Sequence, residues 1–244
     1  MSDRKKQRDS NRAAFRKMDL KDRLAYIFEY YKLPMFTACV ALIVAVTSTI
    51  HSLTKKDPVL YLAYINAAVG DTLNTQLTDD FLDYIEADPK KATVLVYKDL
   101  YISDNASVEN HEYAYASKMK IIGAISARNL DVVLMNKEAC DLMSESGFLM
   151  DLSELEDRNL YARIEPLLVQ NEVIIEDNAI EYRLNEAEEY VYTSEEIPNA
   201  LDVSGLPLFR DAGFSGDLYL GIIANTKHPI GSSGFISYIT EQNS

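Results

Sequence analysis

The sequence predicts an α/β fold, in which a mostly parallel sheet with flanking helices follows a single transmembrane helix. Three observations predict it. After residue 57, short apolar runs alternate with helical patterns, which is typical of βαβ units. The run Leu33–Ile50 carries no charged side chain, and about eighteen such residues are enough for a membrane span. The two cysteines, Cys39 and Cys140, cannot form a disulfide within the part after residue 57, so an ordinary apolar core must hold it.

The charges on either side of the apolar run predict its orientation. Residues 1–32 contain ten Lys and Arg residues against five acidic residues. Basic residues beside a membrane span favour the cytoplasmic side. We therefore predict a cytoplasmic basic tail over 1–32, a transmembrane helix over 33–53 and an extracytoplasmic α/β domain over 57–244. The protein is expected in the cell membrane as a single-pass protein.

The basic tail also has apolar residues at helical spacing, namely Leu20, Leu24, Ile27 and Tyr31. This pattern predicts an amphipathic helix on the anionic inner leaflet, or else an extension of the anchor or a partner contact. A cleaved signal peptide is disfavoured because the apolar run starts late and no cluster of small residues marks a cleavage site. Lipid attachment at Cys39 is disfavoured because the apolar run continues well beyond it.

The first half of the domain follows a regular order of strands and helices. Nearly continuous apolar runs predict buried parallel strands over 59–65, 93–97 and 131–135. Helices are predicted between and after them, and Gly147 is expected to end the third helix as a left-handed cap. The first helix has one apolar face, formed by Leu73, Leu77, Phe81, Tyr84 and Ile85.

In the second half of the domain, the predicted order of strands and helices is no longer regular. Residues 172–176 and 180–184 flank Asp177-Asn178, which predicts a hairpin, and a further strand is predicted over 189–193. We interpret these strands as a small antiparallel insertion. The α/β pattern then returns, with a helix through 206–209, a buried strand over 218–224 and a last helix through 235–239.

Three stretches of the chain carry a resemblance to a known family. A helix begins Tyr115-Ala-Ser-Lys118, Asp131-Val-Val-Leu134 follows, and then comes Gly147-Phe-Leu-Met-Asp-Leu-Ser153. These stretches resemble extracellular solute-binding proteins of ABC importers. In that family a helix beginning with Tyr and Lys is followed by Gly-x-x-Asp-Val-Val and Gly-x-Leu-x-Asp-Leu-Ser. The whole chain, with Tyr30-Tyr31-Lys32 before its anchor, is also similar to single-pass membrane proteins of Gram-positive, Clostridia-type bacteria.

The resemblance implies an α/β lobe of the periplasmic-binding-protein type. Members of that family have two such lobes and hold their ligand in the cleft between them. In this chain fewer than fifty residues separate Leu155 from Leu201, where the family usually places most of a second lobe. We therefore expect one lobe with a small hairpin insertion, and with it half a cleft.

Catalytic and metal-binding motifs do not emerge from the sequence. The three histidines, His51, His111 and His228, lie in no metalloprotease motif, and the chain has no nucleophile elbow, P-loop or dinucleotide fingerprint. The turn Gly231-Ser-Ser-Gly234 is interpreted as the start of a helix rather than a phosphate site. Oxygen-bearing side chains in 104–109 fit no calcium-loop spacing. We therefore predict a protein that is not an enzyme and has no cofactor and no metal.

Ligand-binding residues are predicted from the topology. In open parallel sheets, ligands lie outside the carboxyl ends of the strands. That rule selects Asn66 after the first strand, Asp99 and Tyr101 after the second, and Asn136 after the third.

The overall charge narrows the class of partner. From residue 57 onward, 33 acidic residues stand against 12 basic ones, which excludes nucleic acid. We predict a non-enzymatic, membrane-tethered, extracytoplasmic binding or interaction module. Its expected partners are the lipid bilayer, a protein of an envelope or transporter assembly, and a small-molecule ligand. The alternatives are a genuine solute receptor of an ABC importer with a reduced second lobe and a hydrolase whose site has no recognised motif.

Overall fold

The computed structural model describes residues 19, 34, 36–47, 49, 55–103, 111–184, 189–214 and 216–241. The chain divides into two compact units, Met1–Lys55 and Lys56–Ser244. In the first unit, residues 36–47 are helical. No helix within the described residues is both long enough and apolar enough to cross a membrane. Parts of the anchor predicted over 33–53, and the amphipathic helix predicted within 1–32, lie outside the described residues.

The second unit contains one mixed sheet. Its described residues form six strands, which are β1 (Asp57–Ile65), β2 (Ala92–Leu100), β3 (Val132–Met135), β4 (Leu168–Asp177), β5 (Tyr192–Asp202) and β6 (Tyr219–Ile222). The strands lie in the order β2-β1-β3-β6-β5-β4. The pairs β1–β2 and β1–β3 are parallel, whereas β3–β6, β6–β5 and β5–β4 are antiparallel.

Helices cover both faces of the sheet. They are α1 (Asp71–Thr75), α2 (Phe81–Tyr84), α3 (His111–Ser126), α4 (Lys137–Glu145), α5 (Arg158–Ile164), α6 (Ala179–Arg183), α7 (Pro207–Asp211) and α8 (Pro229–Glu241). A π-helical turn, Gln76–Asp80, joins α1 to α2, and 3₁₀ turns occur at Leu152–Glu154 and Glu165–Leu167.

The interior strand β1 separates two apolar cores. Leu60, Leu62 and Tyr64 pack into the first core, while Ala63 and Ile65 pack into the second. Successive side chains of a strand point to opposite faces, so a strand covered on both sides must be apolar throughout. This confirms the burial that the continuous apolar run predicts.

The first core joins the π-helical turn, α2 and α8. The rings of Phe81 and Phe235 meet edge to face with their centroids 5.1 Å apart. The hydroxyl of Tyr238 donates a hydrogen bond of 2.9 Å to the carbonyl oxygen of Gln76. This bond ties α8 to the π-helical turn, where the backbone departs from regular α-helical pairing.

The second core lies beneath α3 and α4. Ile121 and Ile125 of α3 and Cys140 and Met143 of α4 are buried against the sheet. The side chain of Asn136 caps α4 by accepting a hydrogen bond from the backbone N–H of Ala139. Gly147 follows that helix with φ +67°, so the predicted left-handed cap is confirmed.

The predicted α/β class is confirmed, but the sheet is mixed rather than mostly parallel. β6 runs antiparallel to β3, and Met135 pairs with Tyr219 while Val132 pairs with Ile222. A four-residue buried strand is apolar throughout whichever way it runs, so its composition carries no information on direction.

The predicted hairpin over 172–176 and 180–184 is wrong in its second strand. Residues Ala179–Arg183 form the short helix α6 instead, and β4 pairs with β5 from Leu168↔Leu201 to Asp177↔Tyr192. The carboxylate of Asp177 accepts a hydrogen bond from the N–H of Ala179, so Asp177 starts a helical turn at the point where a tight turn was expected. β4 and β5 belong to the main sheet and are not a separate insertion.

Candidate functional site

The structure brings two of the predicted ligand residues together. Asn66 and Asn136 line one shallow depression of about 530 Å³ at the carboxyl ends of β1 and β3. The amide of Asn66 donates to the carbonyl of Ile102 over 2.7 Å and accepts from its N–H over 2.8 Å. Asn136 caps α4. Both side chains therefore have local structural roles.

The other two predicted residues lie elsewhere. Asp99 lies within β2, where the pairing with β1 shifts register, and its backbone has φ +57°. Its carbonyl oxygen accepts a hydrogen bond from the Tyr113 hydroxyl. Tyr101 is half-buried, and neither residue lines the depression. The extra residues of a β-bulge carry Asp99 away from the edge where a regular strand would place it.

A larger groove lies between α3, the end of α4 and β4. Its volume is about 580 Å³, which is within the range of small-molecule sites. Its floor is apolar and includes the buried side chains of Ile102, Ile121 and Met143. The deepest part of the groove therefore offers apolar contacts.

The rim of this groove is polar. Lys118 and His111 lie on the α3 side, while Glu145 and Asp177 belong to α4 and β4 on the other side. Tyr115 also lines the groove and is exposed. Groups that carry opposite charges at neutral pH, Lys118 against Glu145 and Asp177, thus border one apolar floor.

Beyond the groove, the hairpin of β4 and β5 projects from the sheet. β5 pairs with β6 only at Leu201 and Asp202, while its pairing with β4 continues to Tyr192. Residues 170–199 therefore form a two-stranded extension, which we call the arm. The arm contains nine acidic residues and one basic residue, Arg183.

The end of the arm exposes large apolar side chains. Ile180 is 68% exposed and Leu184 is 61% exposed. The rings of Tyr190 and Tyr192 stack with their centroids 5.6 Å apart. We call this surface the arm tip, and its members are Ile175, Ile180, Tyr182, Leu184, Tyr190, Val191 and Tyr192.

Local hydrogen bonds hold the arm tip in shape. The side chain of Asn178 donates to the carbonyl of Glu189 and accepts from the N–H of Val191, both over 2.8 Å. The Tyr190 hydroxyl donates to the Asp177 carboxylate over 3.2 Å. Desolvation, followed by this hydrogen bond, raises the pKa of Tyr190. The phenol therefore stays protonated at neutral pH and remains a donor.

A buried polar cluster fixes the arm to α4. The amide of Asn171 donates to the Asn199 side chain over 2.8 Å, and Asn199 donates to the Ser144 hydroxyl over 2.6 Å. Ser144 in turn donates to the carbonyl of Glu172 over 2.9 Å. Burial raises the pKa of the neighbouring Cys140 thiol to about 12, so this thiol stays protonated at neutral pH, and its side chain packs in the second core.

A small hollow opens beside this cluster. Its volume is about 280 Å³, and it is lined by Lys137, Asp141, Glu145, Gln170, Asn171 and Glu172. Lys137 pairs with Asp141. Partial desolvation lowers the pKa of Lys137, but the hydrogen bond and charge of Asp141 outweigh it and leave that pKa raised. The acidic residues at the hollow differ in their contacts, since Asp141 pairs with Lys137 and the Glu172 carboxylate accepts a hydrogen bond of 2.5 Å from the Ser194 hydroxyl.

A second polar cluster, which the sequence did not predict, lies at the N-terminal end of β3. Asp131 is fully buried and accepts hydrogen bonds from the Nδ1 of His228 over 2.8 Å and from the N–H of Tyr61 over 2.7 Å. Thr226 donates to the same carboxylate, and the Lys227 ammonium lies 5.0 Å from the centroid of the Tyr61 ring. The cluster joins β1, β3 and the start of α8, and so has a structural role.

Within the described residues, no three His, Cys, Asp or Glu side chains are placed to hold a metal ion. The residues of the arm tip lie in the stretches predicted as strands, 172–176, 180–184 and 189–193, so the sequence pattern indicated a sheet there and not a binding surface. Comparison with protein-family models, with curated proteins and with solved structures finds no match.

Proposed function

We propose that the protein is a non-enzymatic, membrane-tethered module whose arm tip binds a partner protein outside the cytoplasm. The observation that carries the proposal is the exposed apolar surface of the arm tip. Contiguous apolar patches on soluble domains usually mark interaction sites. Tyrosine is enriched in such surfaces because it joins a broad apolar face to a hydroxyl.

The charge of the arm narrows the occupant to a protein. Nine acidic residues on the arm repel anionic lipid headgroups and nucleic acid phosphates. Six of the seven arm-tip residues line none of the cavities described above, while small molecules favour concave sites. A protein partner with complementary charge satisfies both conditions.

The tether is proposed from the first unit. Leu33–Ile50 carries no charge, and ten basic residues precede it. On the helical stretch 36–47, Phe36, Leu42 and Ile43 are largely exposed, as lipid-facing side chains would be. We propose that this stretch belongs to a single-pass anchor that places the acidic domain outside the cytoplasm. We also propose that this domain is one lobe of the solute-binding type.

Site-specific photocrosslinking tests the arm tip. A photoreactive amino acid at Tyr192, in the full chain expressed in its native cells, is expected to give a discrete protein adduct. The same group at Leu95 serves as the control, because Leu95 is exposed on β2 at the other edge of the sheet. Equal labelling at both positions, or no adduct at Tyr192, contradicts the proposal.

The groove favours a second candidate function, a solute receptor of an importer. Its apolar floor and charged rim could hold an amino acid, a short peptide or a sugar. A ligand that binds only the folded state raises the melting temperature. Thermal-shift screening of the full chain against these three classes supports the receptor function if one class stabilises it and Lys118→Met removes the effect. Lys120→Met, on the same helix but outside the groove, is the control.

A further inference from the structure

We infer that the partner protein adds an extended segment to the free edge of β4 and places an apolar side chain of that segment in the groove between α3 and β4. This inference rests on the proposed function, because it names the form in which the partner binds. β4 is the last strand of the sheet, and within the described residues it pairs with β5 alone. An exposed strand edge can accept a further strand through backbone hydrogen bonds.

The backbone of β4 at Ile174 faces this free edge. Gln170 lies opposite Pro198, which has no N–H to donate, and the carbonyl of Glu172 accepts a hydrogen bond of 2.9 Å from the Ser144 hydroxyl. Both observations indicate that Gln170 and Glu172 direct their backbone groups away from β5. Such residues alternate in an antiparallel pair, and the register is regular from Gln170 to Ile174. The N–H and the carbonyl of Ile174 are therefore directed to the free edge.

The two edges of the arm differ in how they receive another strand. On β5, Pro198 and the exposed Glu195 and Glu196 discourage strand addition. On β4, residues 171–177 include no proline and contain the apolar run Val173-Ile174-Ile175. The edge of β4 is therefore the more open of the two.

Two acidic side chains of β4 are bonded within the arm. The Glu172 carboxylate accepts a hydrogen bond of 2.5 Å from the Ser194 hydroxyl, and the Asp177 carboxylate accepts one of 3.2 Å from the Tyr190 hydroxyl. Charged side chains protect a strand edge when they extend over it into solvent. These two carboxylates are instead directed to β5 and to the arm tip, so they protect the edge of β4 less.

The free edge of β4 adjoins the groove. Ile174 and Ile175 both line the groove, and Ile175, which is 57% exposed, also belongs to the arm tip. The groove is thus continuous with the surface that carries the proposed function. A segment paired with β4 presents alternate side chains on one face, so one of them can contact the apolar floor at Ile121 and Met143.

The opposite wall of the groove is one stripe of α3. Ala114, Lys118 and Ile122 form it at intervals of four residues. The stripe is about 12 Å long, which matches about four residues of an extended strand. The ammonium group of Lys118 has no hydrogen-bond or ion-pair partner in the part of the chain that the structure describes. A carboxylate complements this charge, so the occupant is an extended segment with an apolar residue and an acidic residue near it.

Other occupants fit less well. A second copy of the chain, paired through its own β4, would bring the exposed Glu176 of both copies into one interface, and like charges there disfavour association. A helical segment satisfies its N–H and carbonyl groups internally, so it would leave the backbone of Ile174 without a partner.

A scan of backbone methylation in a synthetic peptide tests the inference. The segment crosslinked to Tyr192 is identified by mass spectrometry and synthesised with a fluorophore, and its affinity for the full chain in nonionic detergent is measured by anisotropy. A methyl group is then placed on one backbone nitrogen at a time, which removes a donor and keeps every side chain. We expect the affinity to fall about tenfold at alternate residues and to change little at the residues between them, because only alternate N–H groups face β4.

Two variants at Ile174 isolate the donor on the protein. Ile174→Ala removes the side chain and keeps the N–H, whereas Ile174→Pro removes both. Proline is tolerated on an edge strand where its nitrogen faces outward, so thermal unfolding should show that both variants fold. Ile174→Pro should bind the peptide about tenfold more weakly than Ile174→Ala. If Ile174→Pro does not fold, the methylation scan decides.

Lys118→Met tests the charge on the opposite wall. It should weaken the peptide about threefold, and it should have no effect on a matched peptide that carries glutamine for glutamate or asparagine for aspartate. Lys120→Met, on the same helix but outside the groove, is the control and should bind the peptide as the wild type does.

The outcomes separate the two proposals. Failure of Tyr192 to give a specific adduct overturns the proposed function. A specific adduct whose peptide does not bind, or whose affinity falls at consecutive residues or at none, overturns the inference and leaves the proposed function in place. An adduct between two copies of the chain, or equal affinities of Ile174→Pro and Ile174→Ala, would also overturn the inference. Equal effects of Lys118→Met and Lys120→Met would overturn the acidic residue assigned to the segment.

Discussion

Asn199 connects the arm to the body of the domain. Its side chain accepts from Asn171 and donates to Ser144, and all three residues are buried. Removing one member of a buried network leaves the others with unsatisfied polar groups, which costs more than the lost bond itself. The cluster therefore controls how firmly the arm is held.

We expect Asn199→Ala to lower the free energy of unfolding by about 2 kcal/mol, because it leaves the amide of Asn171 and the hydroxyl of Ser144 without this partner. Denaturant unfolding followed by circular dichroism measures the change. Asn159→Ala is the control, since Asn159 is exposed. A loss for Asn199→Ala that is no larger than for Asn159→Ala would show that the cluster contributes nothing to stability.

Through Glu241, the stability of the fold depends on pH. Its carboxylate accepts hydrogen bonds from the Tyr84 hydroxyl and from Arg163, each over 2.6 Å, and these two bonds lower its pKa. A carboxyl whose folded-state pKa is depressed contributes stability above its unfolded pKa of 4.5 and loses it as the pH falls through the folded value.

The melting temperature of the wild type should therefore exceed that of Glu241→Gln at pH 7, and the difference should shrink as the pH is lowered below about 4.5. Differential scanning calorimetry from pH 7 to pH 3 follows both proteins. Glu156→Gln, at an exposed carboxylate, should show no such trend. A difference between wild type and Glu241→Gln that does not vary with pH would contradict this account.

At the scale of elements, α8 packs closely against β1 at Gly231. A Cβ atom added to Gly231 would lie 2.4 Å from the carbonyl oxygen of Val59, whereas one added to Gly234 would meet Ile85 at 3.9 Å. Backbone atoms cannot move aside as a flexible side chain can. Within this helix, Gly234 therefore has room for a methyl group and Gly231 does not.

Gly231→Ala should lower the free energy of unfolding by about 2 kcal/mol, because α8 must shift away from β1. Gly234→Ala should raise it by about 0.5–1 kcal/mol, since alanine loses less conformational entropy in a helix interior. Urea unfolding of both variants makes the comparison within one helix. Equal effects of the two substitutions would contradict the close approach.

The elements also show what sequence reasoning can reach. The apolar runs at β1 and β3 and the stripe from Leu73 to Phe81 follow from periodicity, because burial on two faces or on one helical face leaves a direct pattern. The direction of β6 and the strand that pairs with β4 do not follow from periodicity, because they depend on which distant strand completes the sheet. Asp99 was misplaced since a β-bulge shifts register without changing composition.

At the scale of the whole molecule, the charge is distributed unevenly along the chain. Basic residues precede the uncharged run, and the domain after it is strongly acidic. The candidate site follows the same distribution, since the arm is acidic around an apolar tip. The position of this site could not be predicted, because the rule for strand ends selected Asn66 and Asn136, whose amides are bonded locally.

If the proposed anchor spans the membrane, protease added to intact cells should degrade the domain after residue 57 and leave the basic tail protected, because basic residues beside a span favour the cytoplasmic side. Immunoblotting with tags at the two termini measures this. A cytoplasmic protein serves as the integrity control. A C-terminal tag that survives while known surface proteins are cleaved would contradict the orientation.

Before Leu201, the edge of β5 that faces away from β4 is unpaired among the described residues, and its residues discourage pairing with another copy of the chain. A two-stranded ribbon with an unpaired edge and exposed apolar side chains can pair with other copies and assemble into fibres. Pro198 interrupts the backbone donors that such stacking requires, and the glutamates beside it keep neighbouring ribbons apart. This part of β5 therefore resists strand addition, although the arm tip beside it exposes apolar side chains.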